Sequence, residues 1–218
     1  MKNMRWMGLA ALLLWAVSGK VQGQDTQKII LYLVDETEYE MEWDADRTPE
    51  LPLYRTNAEG LREKMGKSEV LSIRLADESR PIKGYTHWEV RKVAAPSLLL
   101  GNRNTETRLI GVKAESDSAT IYGWIGDGTD DRPGDVWYGV RLADSDVVYP
   151  FVQDNVVWLR DMRMVLGRTY PEFVDMVMNY YCKGKKSQQN KRQKDLRTKP
   201  YTLLTLIETG GESAGETE

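Results

Sequence analysis

Glu36, Glu38, Glu40 and Glu42 stand at every second position of "DETEYEMEWDAD", residues 35–46. In an extended chain alternate residues share a face, so these four form one carboxylate row while Tyr39, Met41 and Trp43 fall on the other side. A row of this kind could ligate a hard cation or supply an acid–base pair. Two residues along a strand span only about 6.6 Å, and like charges that close spread into water. The row is therefore expected to be the wet side of a half-buried strand. Glu38, Glu40 and Glu42 are also candidate acceptors for a basic segment of the same or a neighbouring molecule.

A second oxygen-rich stretch, "GDGTDDRPGD" (126–135), holds Asp127, Asp130, Asp131 and Asp135. Calcium takes six to eight oxygens, and an oxygen-rich loop of this kind can hold it. The spacing is not that of an EF-hand, and Arg132 competes for the carboxylates, so a flexible acidic turn is the plainer reading. No cofactor is otherwise expected. The chain has one histidine, His87, and one cysteine, Cys182, too few for a zinc site of the usual kind or for an internal disulfide. "GESAG" (211–215) matches the Gly-x-Ser-x-Gly nucleophile elbow, but that device needs a following helix and only "ETE" follows here. Neither a phosphate-binding P-loop nor a Gly-x-Gly-x-x-Gly turn occurs. No catalytic residue is assigned.

The most informative stretch is "IYGWIGDGTDDRPGDVWYGV" (121–140), in which Tyr122-Gly123-Trp124 is mirrored by Trp137-Tyr138-Gly139. Pairing the two strands so that partner numbers sum to 261 sets Trp124 against Trp137 and each tyrosine across from a glycine. An aromatic ring covering a strand glycine is a stabilising arrangement, which argues for that register. Tyr122, Trp124, Trp137 and Tyr138 are candidate ligand-binding residues, forming a platform for sugar rings. The competing reading buries them in the core.

Charge is segregated. Between Lys183 and Lys199 eight basic residues accompany one acid, Asp195, in a chain of formal charge −3. Lys185, Lys186, Lys191 and Arg192 are the candidate anion- or partner-binding residues of this linker-like segment (183–200). No aromatic residue interleaves with them, which counts against nucleic acid. An envelope protein, an anionic surface or an acidic polysaccharide fits better.

The elements that must position these groups are mostly strands. "KIILYLV" (28–34) runs into the acidic row as one long strand, or as a strand with a bend near Asp35. Thr56-Asn57-Ala58-Glu59 fits a capping box and predicts a helix over about 57–65. Further strands are expected at 69–75, 84–93, 107–114, 119–125, 136–142, 147–152 and 201–207. Helical spacing of Trp158, Leu159, Met162, Val165 and Leu166, then of Phe173, Val174, Val177, Met178 and Tyr181, predicts a helical hairpin at about 155–166 and 170–183. The fold class is α+β: an antiparallel sheet or sandwich with that C-terminal hairpin packed on it.

Residues 1–23 have a basic start, a short apolar run and small or tolerable residues before Gln24, the pattern of a cleavable export signal. The expectation is a periplasmic or secreted bacterial protein with no transmembrane span, cleaved near Gly23–Gln24. A single domain over 24–208 and a disordered tail over 209–218 complete it. The function expected is that of a non-catalytic envelope protein, an interaction or structural component working through protein–protein contacts. A carbohydrate-binding module using the aromatic hairpin and a carboxylate-dependent hydrolase are the alternatives.

Overall fold

The computed structural model describes residues 25–57, 59–94, 105–126, 134–154 and 156–210. The export-signal segment, Asp127, Asp130, Asp131 and the "GESAG" stretch lie outside the described residues.

Eleven strands and four short helices are described. The strands are β1 (Thr26–Leu33), β2 (Glu38–Asp44), β3 (Leu53–Thr56), β4 (Arg62–Met65), β5 (Val70–Leu75), β6 (His87–Ala94), β7 (Thr105–Glu115), β8 (Ala119–Ile125), β9 (Val136–Leu142), β10 (Val147–Gln153) and β11 (Val156–Val157). The helices are α1 (Leu159–Leu166), α2 (Pro171–Cys182), α3 (Lys186–Thr198) and α4 (Thr202–Glu208).

The antiparallel sheet expected is present, but instead of a sandwich β6 to β10 form a five-stranded barrel. Each strand pairs with the next in antiparallel fashion, and β10 closes on β6 through Lys92↔Val147 and Val93↔Val148. A meander of five alternating strands begins and ends in the same direction, so its closing pair must be parallel, as it is. The free edge of β6 is shared. Its first half pairs with β5 (Arg74↔His87 to Ser72↔Glu89), and β1 and β2 extend the sheet outward from there. Val90 and Arg91 sit where β5 has left β6 and β10 has not yet joined it.

Three cores follow from alternate burial. Ile29, Leu31, Ile73, Leu75 and Trp88 pack with Leu53 and Met65 of the β3–β4 hairpin. Ala119, Ile121, Val140 and Phe151 face Leu159, Met162, Val174, Val177, Leu196 and Leu203 of the helices. Val93, Ile110, Tyr122 and Val148 fill the barrel interior.

Several expectations need correction. The strand over 28–43 does not bend but reverses: Leu33 N–H donates to Thr37 O, Glu36 takes φ +65°, and β1 and β2 form a hairpin. Asp35 caps the turn by accepting from the Thr37 N–H and hydroxyl. Over 57–65 there is no helix. Asn57 Oδ1 accepts from the N–H groups of Glu59 and Leu61, which makes the cap-like sequence the turn of the β3–β4 hairpin. Two helices, α1 and α2, fall where the pair was expected, but four rather than two follow the barrel. The third, α3, replaces the linker expected over 183–200, and the fourth, α4, replaces the strand expected over 201–207. α3 buries only Leu196 among its apolar positions, but its polar side chains complete α2. Arg192 and Gln193 donate to the Tyr180 and Tyr181 carbonyls, which a helix C-terminus leaves unsatisfied. Among the described residues no helix is long and apolar enough to cross a membrane.

Candidate functional site

Gly111 on β7 faces Gly123 on β8. With no side chains there, the ring of Tyr85 lies directly on both strands: a Cβ added at Gly111 would meet its Cδ1 at 2.4 Å, and one at Gly123 its Oη at 2.1 Å. Tyr138, paired opposite Gly123, brings its ring against the same glycine. The two tyrosines form the floor of a groove of about 870 Å3. Its walls are the 46–51 loop, the turn carrying Lys83, and the Trp124–Gly126 and Val136 ends of the β8–β9 pair. Burial pushes the Tyr85 hydroxyl up to about 12, with Tyr138 adding to the effect, so both rings enter the groove uncharged at neutral pH.

Three lysines surround this floor. Lys113 sits at the bulge of β7, with its ammonium 5.0 Å from the centre of the Tyr85 ring. Lys67 and Lys83 are exposed. Among the described residues none of the three has a carboxylate partner. At the far end Glu106 accepts from Arg108 at 2.8 Å.

The predicted aromatic register is the one observed, with Tyr122↔Gly139, Gly123↔Tyr138 and Trp124↔Trp137. The four rings do not share a surface. Trp124 and Tyr138 both border the groove, but on opposite faces of the sheet: Tyr138 lies on its floor, whereas the Trp124 ring packs against the barrel-interior cluster in which Tyr122 is fully buried. Trp137 stacks between Trp124 (6.1 Å) and Trp158 (6.3 Å). Trp158 was legible only as one apolar position of a helix. Lys185, Lys186 and Lys191 are exposed on or just before α3, while Arg192 turns inward over the Tyr180 ring at 4.8 Å. Asp135 accepts a hydrogen bond from Gln153. Among the described residues no group of His, Cys, Asp or Glu is placed to hold a metal ion. Glu40 pairs with Lys28 at 3.0 Å within its own hairpin, and Tyr39, Met41 and Trp43 pack against the core beneath. The Cys182 thiol is half-buried, and burial raises its pKa.

Behind the groove floor the barrel interior holds a polar network that sequence reasoning missed. Glu89 accepts from Tyr122 Oη at 2.6 Å and from Arg91 Nε at 2.8 Å. Arg141 donates to Tyr122 Oη and Thr120 Oγ1, both at 3.1 Å. His87 lies 3.7 Å from Glu89, and both side chains are largely enclosed, at 15% and 14% exposure. The alternating polar positions His87, Glu89 and Arg91 were the only signal, and a solvated face gives the same one.

Burial pushes the His87 imidazole below its ordinary 6.5, against the pull of Glu89. Burial alone would raise the Glu89 carboxyl, but hydrogen bonds from Tyr122 and Arg91 outweigh it and leave the net below 4.5. Below pH 6.5 the unfolded chain therefore binds a proton that folded His87 refuses, and stability falls on acidification from that point. The Glu89 contribution persists above pH 4.5 and is lost as the pH drops further. His87 is the chain's single histidine. His87→Gln is expected to flatten the urea midpoint between pH 6.5 and 4.5, the ordinary values of the two groups. An unchanged slope would assign the acid sensitivity elsewhere.

Comparison with protein-family models, with curated proteins and with solved structures finds no match to this chain.

Proposed function

We propose that this chain is an exported, non-catalytic recognition protein that binds its partner in the groove over Tyr85 and Tyr138. The observation that carries the reading is the floor itself: two half-buried aromatic rings seated on paired glycines, open to solvent and flanked by lysines that have no carboxylate partner among the described residues. Apolar faces with a few placed charges are how concave sites gain affinity and orientation. A carboxylate-dependent hydrolase needs an acid held protonated near neutral pH. The carboxyls with displaced pKa values, Asp35, Glu63, Asp77, Glu89 and Asp146, all move the other way. The exposed lysines at Lys185, Lys186 and Lys191 offer a second surface of the same sign, which suits an anionic partner in the cell envelope.

The test uses tryptophan fluorescence, since Trp124 lines the groove. Full-length chain is titrated with envelope polysaccharides and candidate envelope proteins, and the ligand is recovered for product analysis. Tyr138→Ala is expected to weaken binding about tenfold, the loss of one aromatic contact of roughly 1.4 kcal/mol, while Met164→Ala, at an exposed position of α1 outside the groove, leaves it unaltered. Binding indifferent to Tyr138→Ala, or recovery of a cleaved ligand, would overturn the reading.

A further inference from the structure

The groove also constrains the chemistry of what it binds. It follows β7 from Glu106 to Lys113, about 20 Å at the rise of a strand, which is longer than a single small molecule needs. Its floor strands β7 and β8 are paired on both edges, so they have no free main-chain groups with which to add an extended peptide as a further strand. Recognition must come from side chains: the ring faces of Tyr85 and Tyr138, and the ammonium groups of Lys67, Lys83 and Lys113. Lysine is a flexible point charge and suits scattered single anions better than a fixed fork does. A nucleic-acid strand presents a phosphate at every unit, and its binding is dominated by dense cationic contact. Here Asp46 and Glu50 share the rim with Arg47, and Glu106 occupies Arg108, which leaves charge too sparse for that.

Resting on the reading of the groove as a binding site, we propose that its ligand is an extended acidic polysaccharide. Its sugar rings lie on Tyr85 and Tyr138, and its carboxylate or sulfate groups reach Lys67, Lys83 and Lys113.

Calorimetric titration of the full chain with oligogalacturonates of increasing length tests the idea. Sulfated oligosaccharides form a second arm, and neutral cello-oligosaccharides and single-stranded oligodeoxynucleotides serve as controls. Affinity is expected to rise with chain length until the groove is filled and to fall with added salt. The exposed triple substitution Lys67→Ala/Lys83→Ala/Lys113→Ala should weaken acidic binding about tenfold, as expected for three solvated ion pairs, and leave the circular dichroism spectrum unchanged. The two acidic arms distinguish carboxylate from sulfate. Equal binding of the neutral series, or no effect of the lysine substitutions, would overturn the acidic class and leave the groove reading standing. Preference for the oligonucleotides would overturn it in favour of a phosphate polymer. If no glycan or oligonucleotide binds the folded chain, the saccharide proposal falls, while binding of an envelope protein sensitive to Tyr138→Ala would keep the groove itself.

Discussion

Glu89→Ala is expected to destabilise the fold by about 3 kcal/mol, the low end for breaking a buried charged pair. The carboxylate accepts from Tyr122 and Arg91, and its removal leaves a buried hydroxyl and a guanidinium without their acceptor. Arg91 is 38% exposed at its side chain, so water recovers part of the loss; Tyr122 is fully enclosed and recovers none. For a chain of this size the melting temperature should fall by roughly 6–12 °C. Glu89→Gln keeps an acceptor for Tyr122 and should cost less, and Tyr122→Phe should cost about 1–2 kcal/mol. Urea denaturation at pH 7 checks the order. A Glu89→Ala variant within about 0.5 kcal/mol of wild type would mean that the network is solvated and carries no net stability.

The second large effect concerns the glycine pair. In most strands glycine is a weakness and alanine an improvement. At Gly111 and Gly123 the opposite is expected. An added methyl would stand 2.4 Å from Tyr85 Cδ1 at the first position and 2.1 Å from Tyr85 Oη at the second. A rigid ring cannot yield without leaving its seat, so each alanine should cost about 1–3 kcal/mol by overpacking. The mechanism predicts its own rescue. Tyr85→Ala also costs stability, but Gly111→Ala in that background should be close to neutral, giving a large coupling in a double-mutant cycle. Additive effects would show that Tyr85 is not what the glycines accommodate. Because Tyr85 is the groove floor, Gly111→Ala should also weaken ligand binding at a temperature where the variant is still folded.

The register of the aromatic hairpin was legible because glycine and aromatic residues answer each other in mirror order, and only one pairing satisfies both tyrosines. Strand positions over 119–125 and 136–142 followed from the same alternation. What failed was local chemistry with two meanings. Asn57 accepts from N–H groups two and four residues on; a helix cap also begins with a short polar side chain that accepts two or three residues on, so the residue type alone does not separate cap from turn. "YTLLTLI" is too short for periodicity to separate strand from helix. α3 was read as a linker because its inward face carries a single leucine, Leu196, and is otherwise built from polar residues such as Arg192 and Gln193. Barrel closure was illegible for a different reason. The Lys92↔Val147 contact joins positions far apart in the chain, and no residue type marks it. The same gap hid the site: Tyr85 was an ordinary strand residue until the fold laid it over two glycines from other strands.

Barrel closure also gives the acidic row a purpose that its chemistry did not. β6 to β10 bring each other's backbone groups into pairing, so the long exposed margin of the sheet is β2, which among the described residues pairs only with β1. An open strand margin is a template for stacking one molecule on another and for growth into aggregates. A second β2 laid antiparallel along the first would set glutamate against glutamate at Glu38, Glu40 and Glu42, and like charges directly opposed are unfavourable. The carboxylates thus act as a guard against self-assembly, keeping this sticky border from recognising itself.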